Sequence, residues 1–167
     1  DLRYIAYGSS GLGGIHIYDS NTKTATKIEE AHKLLGASDL KFSSDGKYLI
    51  SGSFDGELAA WDVESKKKIR SFKGSVGPIA GLNINFDNGF LASGTMGSTV
   101  AESDYAVNVW DINEETAKCK LLGHQLTVNC VAFNKKNRLV FSGSRDGTLK
   151  VWSIDSCKEI MSCISIG

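Results

Sequence analysis

The sequence predicts an all-β chain of stacked four-stranded antiparallel sheets, the β-propeller class, and three observations lead there. Trp61, Trp110 and Trp152 stand at the ends of the apolar runs ELAAWD, AVNVWD and LKVWS, each preceded by a Ser-Gly pair. With Ser51, Ser93 and Ser142 as register marks, the Trp-to-next-Ser interval is 32 both times, while the Ser-to-Trp interval is 10, 17 and 10. A period near 42 with one insertion is a tandem repeat, and a feature that recurs in every repeat is architectural before it is catalytic. Between these marks, short runs rich in Val, Ile, Leu, Phe and Trp alternate with Ser, Gly, Asp and Asn clusters about ten residues apart, which is the pattern of short strands and tight turns.

The chain divides into four units: 1–30, 31–73, 74–122 and 123–167. The first has only three strands, YIAYGSS (4–10), GGIHIYD (13–19) and TATKIEE (24–30), with Tyr18-Asp19 at the Trp-Asp position. The second reads DLKFS (39–43), YLISGS (48–53), ELAAWD (57–62) and a strand over 68–72. The third reads IAGLNINF (79–86), FLASGT (90–95), YAVNVWD (105–111) and AKCKLL (117–122), with the seven-residue insertion 96–102 between its second and third strands. The fourth reads VNCVAFN (128–134), RLVFSGS (138–144), TLKVWSI (148–154) and EIMSCIS (159–165). Asp55-Gly56 and Asp146-Gly147 supply the positive φ that tight hairpins need. A sheet this small cannot hide both faces, so the units must stack, and strand twist makes the stack radial.

Composition excludes several classes. With 41% hydrophobic and 23% charged residues, 18 Gly and one Pro, the chain reads as globular, without linkers or low-complexity stretches. Nineteen basic and nineteen acidic side chains cancel, which leaves no positive field for nucleic acid or an anionic membrane. No run of about 18 apolar residues and no secretion signal is present, so a cytoplasmic or nuclear address is expected. Cys119, Cys130, Cys157 and Cys163, at spacings of 11, 27 and 6, match neither zinc-ligand pairs nor a redox Cys-x-x-Cys and are expected to be reduced structural thiols. His16, His32 and His124 show no metal-ligand spacing, and no metal or cofactor is expected.

One constellation invites a catalytic reading. Asp146 lies six residues before Trp152, Ser142 ten before, and His124 in the turn leading into that unit; Ser, His and Asp are the residues of an acyl-transfer triad. The same set recurs as His32, Ser51, Asp55 and Trp61. The third unit has Ser93, Asp104 and Trp110, but Ser75 at the His position. Duplication, and the absence of a Gly-x-Ser-x-Gly elbow, favour a buried hydrogen-bonded chain that ties turns to strands. A hydrolase using His124, Ser142 and Asp146 is kept as the minor alternative.

These residues are where the chain resembles the WD-repeat β-propeller family, whose repeat has Gly-His leading into the unit and Trp-Asp closing its third strand. The pairs here are Gly123-His124 with Trp152-Ser153, Ala31-His32 with Trp61-Asp62, and Gly74-Ser75 with Trp110-Asp111. The resemblance implies a non-enzymatic platform that holds peptides or assembles complexes. It also implies a ring that most often closes with seven blades, so this chain, beginning inside a unit at Asp1, is expected to be about half of one. Missing blades or a second copy would then cover its lateral faces. The first unit has Tyr7, Leu12 and Tyr18 in place of Ser, Asp and Trp, and should be the least braced.

The resemblance also implies that the His and Asp turns share one, commonly partner-binding, face. That face receives Phe54, Ser103 and Arg145, each immediately before its Asp, and Pro78, Ala80, Thr127 and Asn129 where first strands begin. Phe54 beside Arg145 reads as an anchor pair, because aromatic and Arg side chains dominate interface hot spots. The insertion from Met96, with Ser103 and Tyr105 at its end, reads as a recognition loop on a rigid scaffold. The basic run Lys66 to Lys68 with Arg70 and Lys73 reads as protection of an outer strand edge, and Lys135, Lys136 and Arg138 as a solvated turn.

Overall fold

The computed structural model describes residues 3–9, 14–28, 31–32, 36–75, 77–85, 87, 89–97, 104–134 and 138–164. Within them the chain forms fifteen strands: β1 (Tyr4–Gly8), β2 (Ile15–Asp19), β3 (Thr24–Ile28), β4 (Ala37–Phe42), β5 (Tyr48–Ser53), β6 (Leu58–Asp62), β7 (Lys68–Phe72), β8 (Ile79–Asn85), β9 (Phe90–Thr95), β10 (Val107–Asp111), β11 (Cys119–Leu121), β12 (Val128–Asn134), β13 (Leu139–Ser144), β14 (Thr148–Ser153) and β15 (Lys158–Ile164). No helix occurs among the described residues, so none of them forms a helix long and apolar enough to cross a membrane.

Each sheet is an antiparallel meander in chain order: β1–β3 make the first, β4–β7 the second, β8–β11 the third and β12–β15 the fourth. The first strands of consecutive four-stranded sheets lie against each other, β4 on β8 and β8 on β12. This is the stacked arrangement of a partial β-propeller. The turns at Gly56 and Gly147 do adopt positive φ, 83° and 80°.

Alternation along the strands explains how one sheet serves two neighbours, since successive side chains point to opposite faces. Leu49 and Ala59 join Ile15, Ile17 and Ile28 in a core between the first and second sheets, whereas the adjacent residues Ile50 and Ala60 join Ile79, Leu82 and Leu91 between the second and third. A third core, including Ala92, Val109, Leu121, Val131 and Val140, lies between the third and fourth sheets. Each Trp is buried against the sheet that precedes its own: Trp61 in the first core, Trp110 in the second, Trp152 in the third.

The Ser-Gly pairs have a packing cause. A Cβ on Gly52 would lie 2.6 Å from Ile79 Cγ2, and one on Gly94 would lie 2.5 Å from the Val128 carbonyl oxygen. The first strand of the following sheet passes directly over each glycine, so only a residue without a side chain fits.

Some boundaries differ from the sequence reading. β4 begins at Ala37, two residues early, because a bulge between Ala37 and Asp39 lets the strand extend its pairing to Ser53. Equivalent bulges interrupt β8 between Ile79 and Gly81 and β12 between Val128 and Cys130. β10 starts at Val107 because Tyr105 has a φ of 43°, which turns the chain before the ladder begins. The expectation that all four cysteines are reduced is overturned. Cys119 on β11 and Cys157 in the β14–β15 turn form a disulfide across 38 residues, with Cα atoms 5.4 Å apart. Cys130 and Cys163 are free and exposed. The bond joins the third sheet to the fourth, a neighbour relation that cysteine spacing cannot carry.

Candidate functional site

In the fourth sheet the hydrogen bonds form one relay. Trp152 Nε1 donates to Ser142 Oγ at 2.8 Å, Ser142 Oγ lies 2.7 Å from His124 Nε2, and His124 Nδ1 lies 2.9 Å from Asp146 Oδ2. Asp146 also accepts the Gln125 and Thr148 backbone N–H groups and the Thr148 hydroxyl. A single proton arrangement satisfies the whole set: His124 Nδ1–H donates to Asp146, and the Ser142 hydroxyl donates to Nε2. Burial works against the charged carboxylate, but the hydrogen bonds from Thr148, Gln125 and His124 outweigh it and hold Asp146 well below the ordinary carboxylate range. Ser142, His124 and Trp152 are all buried, so the Ser142 oxygen is engaged inside the protein instead of facing a cleft.

The second sheet repeats only part of this. Trp61 Nε1 donates to Ser51 Oγ at 2.8 Å, and His32 Nε2 lies 2.9 Å from the same oxygen. His32 Nδ1, however, stands 3.7 Å from Asp55 Oδ1 and 3.7 Å from Glu57 Oε2, and makes no hydrogen bond. Glu57 occupies the place that Thr148 has in the fourth sheet. Burial pushes the His32 imidazole below its ordinary pKa against the pull of Asp55 and Glu57, which leaves the ring neutral at pH 7.

The grouping of Ser93, Asp104 and Trp110 as a third such set is corrected by the structure. Trp110 Nε1 donates to the Lys73 carbonyl at 2.8 Å instead of to Ser93. Ser93 Oγ and Ser75 Oγ are buried without hydrogen-bond partners, as are both side-chain polar atoms of Asn108. Asp104 pairs with Lys120. Ser75 is too short to take the place of an imidazole, so nothing links the Asp turn to the strand serine, and the indole turns to the backbone.

The turns place the remaining candidates as follows. Phe54 is 42% exposed in the β5–β6 turn and Arg145 is exposed in the matching β13–β14 turn. The pairing of the two as one anchor is corrected: their sheets are separated by the third, so they occupy equivalent turns two sheets apart. Pro78, whose carbonyl accepts the Met96 N–H, and Ala80 are half-buried, as is Thr127, whose carbonyl accepts the Arg145 N–H; Asn129 is exposed. At the base of the insertion, a Cβ on Gly97 would meet the Tyr105 ring at 2.6 Å, so these two residues close tightly on each other. Ser103 and positions 98–102 lie outside the described residues, as do Leu12, Lys135 and Lys136.

Of the basic run, Lys68 pairs with Glu57 and Lys73 with Glu115, and Arg70 donates to the Asn113 carbonyl. Arg138 pairs with Asp155. Two positions escaped the sequence reading. Asp39, at the β4 bulge, accepts the Leu82 N–H of the third sheet at 3.0 Å and holds Lys41 at 2.6 Å, thereby tying two sheets together. Only the bulge, which has no signature in one sequence, would have revealed it. Glu57 beside His32 is the second, and the cue was available: Thr148 stands at the same place after its Asp-Gly pair.

Comparison with known proteins fits this geometry. The WD40 family description, "WD domain, G-beta repeat", matches residues 24–62 and 116–153. The WD repeat-containing protein WDS homolog of Arabidopsis thaliana is 32% identical over 83% of this chain, which spans 25% of that relative. The pre-mRNA-splicing factor cwf17 of Schizosaccharomyces pombe is 28% identical over 74% of this chain, which spans 35% of it. Among solved structures, the computationally designed Ika8 protein superposes with a TM-score of 0.76 and 25% identity, covering 96% of this chain and 46% of that one. The chain thus spans about a quarter to a half of these three proteins. With its repeated Ser, Asp and Trp register, its stacked four-stranded sheets and these matches, the chain belongs to the WD-repeat β-propeller family.

Proposed function

We propose that the chain is a non-enzymatic interaction platform that binds a peptide or protein on the face carrying the His and Asp turns. One observation carries the reading. Among the described residues, Ser51 and Ser142 are each engaged in buried hydrogen bonds to an indole and an imidazole, and His124 ties Asp146 to this chain in the fourth sheet, which leaves the turns with Phe54 and Arg145 as the exposed chemistry. A rigid turn presenting an aromatic or a guanidinium group loses little entropy on binding, which is the property a recognition surface needs. Gly97 and Tyr105, on either side of the insertion, lie close against each other. WD-repeat relatives include a protein named as a splicing factor, which is consistent with work inside multiprotein complexes and with a nuclear or cytoplasmic address. Pull-down of partner by wild type and by Phe54→Ala, Arg145→Glu and a shortened 96–105 loop tests the surface; unchanged capture by all three rejects it.

A second reading is supported by a separate observation. The free face and outer edge of the fourth sheet expose Leu149, Ile160, Met161 and Ile164, and the first sheet exposes Ile5 and Tyr7. Ile164 is 76% exposed and Met161 52%, more apolar area than isolated surface residues account for. These faces would be covered by further blades or a second copy, with a seven-bladed ring as the expected closure. Light scattering tests this: a monomer of 18.0 kDa that binds no apolar dye argues against it.

A further inference from the structure

We propose that His32, Asp55 and Glu57 form a binding site for a divalent transition-metal ion of the zinc class. Three observations converge on it. His32 Nδ1 is buried, has no hydrogen-bond partner, and faces two carboxylates at 3.7 Å each. That separation matches two ligands on one ion about 2.1 Å from each, at an angle near 120°. The three ligand atoms all lie within 4.8 Å of one another, so small side-chain adjustments bring them onto a common centre.

The fourth sheet serves as an internal control. There His124 Nδ1 closes directly on Asp146 at 2.9 Å and Thr148 adds a hydroxyl, so no gap and no second carboxylate remain. In the second sheet Glu57 replaces that hydroxyl with a charged oxygen, and the histidine is held back from both acids. One imidazole nitrogen with two carboxylate oxygens is a donor set suited to zinc, manganese or ferrous iron, not to calcium or magnesium.

The surroundings fit the assignment. A metal at Nδ1 requires the proton on Nε2, and Nε2 lies 2.9 Å from Ser51 Oγ, which can accept it. Metal-bound histidines characteristically anchor their second nitrogen in this way. The charged groups facing the site are Asp55, Glu57 and Lys68, the last paired with Glu57. With His32 neutral they sum to one negative charge, which attracts a dication. The Asp55 and Glu57 side chains are 13% and 28% exposed, so an ion reaches them from the turn face.

The test is titration of Zn2+ into chelator-treated protein carrying Cys130→Ser and Cys163→Ser, which removes the two free thiols as competing ligands. Calorimetry and the melting temperature are the readouts. One saturable ion per chain that raises the melting temperature is expected. Glu57→Thr copies the fourth sheet and keeps the fold; it should weaken binding about tenfold or more. Lys68→Gln should strengthen binding by releasing Glu57. Absence of saturable binding in the parent, or equal binding by Glu57→Thr, overturns the assignment.

Discussion

Ser142 Oγ lies 2.7 Å from His124 Nε2 and takes the Trp152 indole N–H at 2.8 Å, so a serine that could serve as a nucleophile is held between two buried rings. Its proton goes to the imidazole and a lone pair goes to the indole. The hydroxyl is a structural junction between β13, β14 and the turn before β12, and it fixes the attitude of the exposed turn at Arg145.

Acid should loosen this junction. Asp146 is held below its unfolded value by hydrogen bonds, so it contributes stability that is fully present above about pH 4 and is lost as pH falls towards its folded value. Urea unfolding between pH 2 and 7 should show a decline on the acid side, and Asp146→Asn should make it shallower while lowering stability at pH 7. Asp19, Asp45 and Asp62 are also depressed, by local hydrogen bonds, so the variant removes part of the slope and not all of it.

Reduction should destabilise the joint between the third and fourth sheets. A disulfide closing a loop of this length, Cys119 to Cys157, contributes about 2–4 kcal/mol. Unfolding with and without a phosphine reductant measures the difference. The double variant Cys119→Ser/Cys157→Ser should match the reduced protein and no longer respond to reductant.

Asp39 should matter more than a half-buried surface acid ordinarily does. Asp39→Ala leaves the Leu82 N–H without its acceptor and frees Lys41, at a cost of about 1–3 kcal/mol. Hydrogen exchange at the Leu82 amide reports the lost bond directly. Unchanged protection there would show that the contact between the second and third sheets does not depend on this carboxylate.

Substitutions on the turn face should separate stability from recognition. Phe54→Ala and Arg145→Glu remove exposed side chains, so unfolding free energies should stay within about 0.5 kcal/mol of wild type. Partner capture should fall in the same variants. A large stability loss would mean that these residues pack the turns and are not free to recognise anything.

The strands and their stacking were legible because period-2 alternation, Asp-Gly turns and the Trp register repeat along the chain, and each repeat reinforces the others. Leu49 and Ile50, neighbours in sequence and members of different cores, show how that pattern becomes a stack. What depends on contact between units was not legible. Cys119 meets Cys157, Asp39 meets Leu82 and Trp110 meets Lys73 across 38, 43 and 37 residues, and none of these pairs has a local signature. The third unit also shows the limit of spacing. Ser93, Asp104 and Trp110 stand near the family's positions, yet without an imidazole at Ser75 they do not join.

The central claim is that the serine hydroxyl in the fourth sheet is a brace. Paired urea unfolding of Ser142→Ala and Ser93→Ala tests it most directly. The first strips a hydrogen bond from both His124 and Trp152 and should cost about 2–4 kcal/mol; the second removes a buried hydroxyl without a hydrogen-bond partner and should cost less than about 1 kcal/mol. Equal and small losses at both positions, with hydrolysis of an activated ester abolished only by Ser142→Ala, would contradict the account and restore the catalytic reading.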